Sequence, residues 1–133
     1  MRVADLMTTD VRAVRDDATV AEAIMTLADA GVHGVPVLDR HDRLVGVLSS
    51  RDILEAQAEC ASAEERDRLF ARTLVSELMT PKPAAVTPDT DVRAAALEML
   101  YLDVHRIFVE EKGDLLGVIA QSDIVRAVAT AKI

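Results

Sequence analysis

Two short stretches hold the residues best placed for chemistry. GVLSSRDIL runs from Gly46 to Leu54, and GVIAQSDIV runs from Gly117 to Val125. Each is an apolar run headed by glycine that turns polar and reaches an aspartate, Asp52 or Asp123. Such a pattern reads as a strand turning into a helix. A helix start gathers unpaired backbone N–H groups and the positive end of the dipole, which suits phosphate or another anion. A serine at the corner, Ser49, can donate its hydroxyl to the same anion, and Ser122 offers another hydroxyl in the second stretch. The aspartate can accept two hydrogen bonds from a vicinal diol such as ribose, as an acidic residue does in dinucleotide folds. The same residue types also serve a helix with no ligand at all, Ser49 as the cap and Asp52 in the first turn. The residues alone leave both readings open.

Three histidines stand apart from these corners in sequence. His33 and His105 occupy equivalent places before an apolar strand, and His105 is followed by Arg106. A guanidinium beside an imidazole suits phosphate, because Arg presents a planar fork of donors. His33 is followed by Gly34 instead and is expected to pack against the hairpin. With His41 the set has no ligand-like spacing and no cysteine pair, so no metal site is expected. The chain also has no nucleophile–base–orienter set and no G-x-x-x-x-G-K-[ST] loop, so it is not expected to be an enzyme.

The elements that must position these residues come as a repeat. VADLMT (Val3–Thr8) returns as VSELMT (Val75–Thr80), and VHGVPV (Val32–Val37) returns as VHRIFV (Val104–Val109). After each LMT comes a short extended piece ending at Val14 or Val86, then an amphipathic helix. In the first copy Val20, Ala23, Ile24, Leu27 and Ala28 form one apolar face, with Thr19 and Glu22 as a capping box and Gly31 at the end. In the second copy Val92, Ala95, Ala96, Met99 and Leu100 repeat that face behind Asp91 as N-cap. Strands over 35–38 and 44–48 return as strands over 107–109 and 115–119, and a second helix starts at each corner. The division along the chain is therefore a first unit over 1–56, a linker over 57–74 and a second unit over 75–133. The stretch from Glu55 to Leu74 has no Gly or Pro and is expected to be helical throughout, anchored by Leu69 and Phe70.

Composition narrows the classes further. The chain has 133 residues, half of them hydrophobic, and a net charge of −8. That charge opposes nucleic acid and anionic membrane, which need a basic face. Few aromatics means few stacking platforms for single strands. No apolar run approaches a membrane span and no signal-peptide pattern opens the chain, and the lone Cys60 fits a reducing cytoplasm.

Taken in order and twice over, V-x-[DE]-L-M-T, a β-α-β-β-α unit and a G-h-h-[ST]-x-x-D-h ending resemble a tandem pair of CBS domains, a Bateman module. The resemblance runs from Val3 to about Val128. It implies an α/β (α+β) fold of two units packed with pseudo-two-fold symmetry. It also implies a regulatory module that binds an adenine nucleotide (AMP, ADP, ATP or a relative) in the cleft between the units, with no obligatory cofactor. In that family the corner aspartate holds ribose, which assigns Asp52 and Asp123. Ser49, His105, Arg106 and Ser122 would face phosphate. The segments after the LMT turns would form the adenine slot, which assigns Val11, Arg12, Pro83 and Ala84. The copies depart from the pattern in complementary ways, with Gly34 where a base often stands and Ala120 where Ser or Thr is expected. Those departures motivate an alternative, a structural dimerisation module with empty sites. Tandem CBS modules pair through their helices, so a homodimer with two-fold symmetry is expected, using faces such as that of Val92, Ala95, Ala96, Met99 and Leu100. Whatever reads the ligand signal would be a separate effector protein.

Overall fold

A computed structural model of the chain describes residues 1–130. The last residues of the second sequence unit, 131–133, lie outside the described residues. In chain order the elements are α1 (Val3–Leu6), β1 (Val14–Arg15), α2 (Val20–Ala30), β2 (Gly34–Leu38), β3 (Leu44–Ser49) and α3 (Ser50–Ala58). They continue with α4 (Ala63–Arg72), α5 (Val75–Leu78), β4 (Thr80–Pro81), β5 (Ala85–Val86), α6 (Val92–Leu102), β6 (Arg106–Glu111), β7 (Asp114–Ala120) and α7 (Gln121–Ala129). The architecture is mixed α and β, built from two copies of one β-α-β-β-α unit.

Local chemistry explains the element ends. Thr19 Oγ1 accepts from the Glu22 N–H at 3.3 Å to start α2, and Gly31 ends it in the left-handed region at φ 64°. Asp91 Oδ1 accepts from the Arg93 N–H at 2.8 Å to start α6. At the end of α6 Asp103 takes the same left-handed role as Gly31, at φ 55°, a conformation that a short polar side chain tolerates. The first hairpin turns on Asp39, whose Oδ1 accepts from the His41 and Arg43 N–H groups at 2.8 and 3.1 Å. Those amide donors, Arg43 first, hold its carboxyl below the usual carboxylate range.

The expected unbroken linker helix is two helices. The chain leaves α3 after Ala58 and re-enters helix at Ala63. Ser62 Oγ accepts from the Glu65 N–H at 3.2 Å, and the Glu65 carboxylate accepts from the Ala61 N–H at 2.7 Å. A capping pair of this kind satisfies the orphan donors of a new helix start, so it favours a break even without Gly or Pro. Leu69 is buried, and Phe70 packs against the core of Val20, Leu27 and Val75.

The compact units do not follow the sequence repeat. One consists of Arg12–Pro83, and the other joins Met1–Val11 to the chain from Ala84 onward. Each LMT segment thus completes the unit built on the other repeat. In the first of these units β1 pairs parallel with β2, β2 antiparallel with β3, and β3 antiparallel with β4. Val75 of α5 is fully buried there among Val20, Ala23, Val35, Val37 and Leu48. In the second, β5 pairs parallel with β6 and β6 antiparallel with β7, while Thr8 bridges Val118 on the free side of β7. Val3 of α1 is fully buried among Ala95, Met99, Ile107, Val109 and Ile119.

The glycine heading each corner motif is explained by this exchange. A Cβ on Gly117 would lie 2.5 Å from the Thr8 carbonyl oxygen. One on Gly46 would lie 2.5 Å from Met79 Sδ and 3.0 Å from the Thr80 carbonyl oxygen. The strand needs glycine because the LMT backbone lies against it. Gly117→Ala is therefore expected to destabilise by about 1–3 kcal/mol, since the clash is with backbone. Gly46→Ala is expected to cost less, because the flexible Met79 side chain can yield. Paired thermal melts check the order of the two.

Candidate functional site

Both corner aspartates sit in the first turn of a helix, half-buried, directly after an edge-flanked strand. Their first oxygen does the same work in each copy. Asp52 Oδ2 accepts from the Ser49 N–H at 2.9 Å, and Asp123 Oδ2 accepts from the Ala120 N–H at 2.8 Å. The helix is also tied to the preceding strand in the same way. The Ser50 N–H donates to the His33 carbonyl and the Gln121 N–H to the His105 carbonyl, both at 2.8 Å. The backbone of the two histidines therefore has a clear structural task, while their side chains are exposed.

Beyond that shared frame the corners diverge. Ser49 Oγ accepts from the Asp52 N–H at 3.2 Å, completing a reciprocal capping box. An accepting hydroxyl keeps its own proton to donate, so this cap does not consume Ser49 as a phosphate donor. Ala120 has no side-chain oxygen, so the Asp123 amide lacks the serine cap that the Asp52 amide has. The second aspartate oxygen differs too. Thr80 Oγ1 donates to Asp52 Oδ1 at 3.4 Å, a long bond, whereas Arg126 Nη1 stands 3.5 Å from Asp123 Oδ1. Across the sheet, Gly34 is paired with Ser49 and Arg106 with Ala120. Residues directly opposite on antiparallel strands project to the same face, so Arg106 belongs to the Asp123 corner.

The remaining assignments from sequence are distributed as follows. Ser122 is exposed in the first turn of α7 beside Asp123. Val11 and Ala84 belong to the unit that carries α7, and Arg12 and Pro83 to the unit that carries α3. All four lie outside helices and strands, with Val11 and Pro83 half-buried and Arg12 and Ala84 exposed. Thr80 and Arg126 were not among the residues the sequence pointed to. Arg126 has a local signal, since it falls at i+3 from Asp123 on one helix face. Thr80 has none, because its reach to Asp52 depends on the exchange of LMT segments. Among the described residues no group of three or more His, Cys, Asp or Glu side chains could hold a metal ion.

A duplicated β-α-β-β-α unit with an acid at each strand-to-helix corner, closed by exchanged LMT segments, defines a paired-domain module. The chain belongs to the CBS domain family, whose profile matches residues 3–59 and 75–130. A crystal structure of CBSX2 from Arabidopsis thaliana in complex with AMP is similar over 99% of this chain and 98% of that one, with a TM-score of 0.83 and 30% identity. The chloroplastic CBS domain-containing protein CBSX1 of Arabidopsis thaliana is 29% identical over 92% of this chain, which spans 61% of its length. The CBS domain-containing protein YhcV of Bacillus subtilis (strain 168) is 30% identical over 92% of this chain and 81% of that protein.

Proposed function

We propose that this chain is a regulatory module that senses an adenosine nucleotide, with AMP as the leading candidate, and that it is not itself an enzyme. The observation that carries the reading is the Asp123 corner. It sets a half-buried carboxylate, able to accept from a ribose diol, at a helix start able to take a phosphate, with Arg106 on the strand position opposite Ala120. The similarity to an AMP-bound relative over nearly the whole chain supports the same ligand class. Asp123 and Asp52 would hold ribose, and Arg106, His105, Ser122 and Ser49 would face phosphate. The segments bearing Val11, Arg12, Pro83 and Ala84 would supply the adenine contacts. Ligand would act by population shift, favouring whichever arrangement it binds better, for a separate effector protein to read. The lone Cys60 supports action in a reducing compartment such as the cytoplasm. Thermal melting with and without AMP tests the reading. A ligand at a hundredfold excess over its Kd should add about 2.7 kcal/mol of stability and raise the melting temperature by several degrees. No response to AMP, ADP, ATP or adenosine would overturn it.

A structural dimerisation role is the second reading, and the surface of α6 favours it. Most of the apolar face expected to pair is covered within the chain. Val92, Ala95 and Met99 are buried, and Ala95 and Met99 pack against Val3, Ile107, Val109 and Ile119 of the same unit. Leu100, which is on that face, is 71% exposed, and Leu97 at 58% and Tyr101 at 86% lie beside it as the most exposed apolar residues of α6. They follow an i, i+3, i+4 spacing and form one outward stripe. A contiguous apolar stripe of this kind marks a partner surface, here proposed to be a second copy of the chain. Leu100→Glu is expected to shift the mass seen by light scattering from dimer to monomer. Its effect on the monomer fold should stay within about 0.5 kcal/mol, since the side chain is exposed. A mass that is monomeric in the wild type at all concentrations would contradict the dimer.

A further inference from the structure

One apolar seat is filled in one unit and open in the other. In the unit of residues 12–83, α4 packs on both α2 and α3, with Leu69 buried and Phe70 against the core. The carbonyl of its C-cap Thr73 accepts from the Val20 N–H at 2.9 Å. The other unit repeats this frame without the helix. There the Met1 carbonyl takes the place of Thr73 and accepts from the Val92 N–H at 3.0 Å. Among the described residues no helix bridges α6 and α7 as α4 bridges α2 and α3. A cavity of about 290 Å³ opens there instead, lined by Met1, Asp91, Val92, Arg93, Ala96 and Ile124. Burial registers the difference. Ile53 of α3 is 8% exposed, whereas Ile124, its counterpart on α7, is only half-buried. Ala96 stands where the other unit has Ile24, which leaves room for a larger side chain from outside.

The rim of the seat carries an unmatched charge. Arg93 occupies the place of Ala21, is exposed, and makes no ion pair among the described residues. Asp91 does not neutralise it, because its Oδ1 accepts from the Arg93 backbone N–H at 2.8 Å as the helix cap. A helix laid down in the direction of α4 would bring its C-terminal end to the start of α6. The partial negative charge of that end, and a carboxylate near it, would face Arg93.

We propose that this seat takes an acidic amphipathic helix of a partner protein, carrying two adjacent large apolar residues as α4 carries Leu69 and Phe70. The partner is the separate effector of the proposed function, and the inference rests on that reading for the partner's role. Docking is measured without nucleotide, so its failure leaves nucleotide sensing standing.

Amide NMR of the full chain, titrated with a synthetic peptide of residues 61–74, tests the seat. Shifts should gather at residues 92–96 and at Ile124. Residues 20–24 and Ile53 should stay unmoved, because α4 already packs on their helices. A peptide carrying Arg72→Glu should bind about two- to fivefold tighter, the size of one exposed ion pair, and Arg93→Glu in the protein should reverse that preference. Arg93 is exposed, so the variant should fold as the wild type does. Shifts centred on Leu97, Leu100 and Tyr101, a peptide preference indifferent to Arg93→Glu, or no shift at millimolar peptide would overturn the inference. Seat signals that move on dilution of the protein alone would assign the seat to a second copy, and would overturn it as well.

Discussion

Removing residues 1–11 is expected to unfold the unit built on the second repeat, although the deletion lies at the far end of the chain from it. That segment buries Val3 completely in the core of Ala95, Met99, Ile107, Val109 and Ile119. It also supplies a backbone ladder. The Val3 N–H donates to Thr90, the Ala4 N–H to Pro88, the Val92 N–H to Met1, and Thr8 exchanges both bonds with Val118. Burial of one valine contributes about 1.5–3 kcal/mol, and each backbone hydrogen bond adds about 0.5–1.5 kcal/mol. Together these approach the roughly 5–15 kcal/mol that stabilises a whole domain. Hydrogen exchange should show lost protection from residue 84 onward and retained protection within 12–83. The mirror-image variant, Val75→Asp, should do the reverse, since Val75 is buried with the first repeat's core. Loss of protection confined to the repeat that carries the altered residue would contradict the exchange.

Arg106→Ala should weaken AMP binding by roughly 10- to 150-fold, the range given by one charge-assisted hydrogen bond of about 1.5–3 kcal/mol. Adenosine should bind the variant almost as it binds the wild type, because the proposed partner of Arg106 is the phosphate. The side chain is half-buried at the start of β6 and opposite Ala120, so truncation leaves the strand pairing in place. Titration calorimetry with both ligands separates the outcomes. Equal losses for AMP and adenosine would assign Arg106 a packing role instead of a phosphate contact.

Much of this architecture is legible in the residues. The helix faces of α2 and α6 follow from apolar spacing, Gly31 and Asp91 act at the helix ends as their types suggest, and the corner aspartates start helices as expected. Two features escape a reading along the chain. The first is the exchange of LMT segments. A repeat displays which residues are alike, while pairing of Thr8 with Val118 and of Thr80 with Val47 is decided by non-local burial. The glycines at 46 and 117 were its one trace, since a strand glycine often marks close approach of another backbone. The second is which side of α6 is covered. The stripe through Val92, Ala95 and Met99 is apolar, and so is the stripe through Leu97, Leu100 and Tyr101. Periodicity cannot rank two apolar stripes on one helix; only the position of β6 and β7 does. The linker break has a local signal, since Ser62 and Glu65 form an S-x-x-E capping pattern inside a run whose residues otherwise favour helix.

The same physics bears on the corner aspartates. Each spends one oxygen on a strand-end N–H, which a cap alone would explain, and the second oxygen lies toward Thr80 or Arg126. Competition for that second oxygen is what distinguishes a ligand site from a cap. A cap would leave AMP indifferent to the residue, whereas a ribose site would not.

Native mass spectrometry of the full chain with AMP tests nucleotide sensing most directly, with the Asp52→Ala/Asp123→Ala double variant beside it. The account predicts a mass increment of bound AMP on the wild type and its disappearance from the folded double variant. An equal AMP increment on both proteins, or none on the wild type at millimolar AMP, would contradict it.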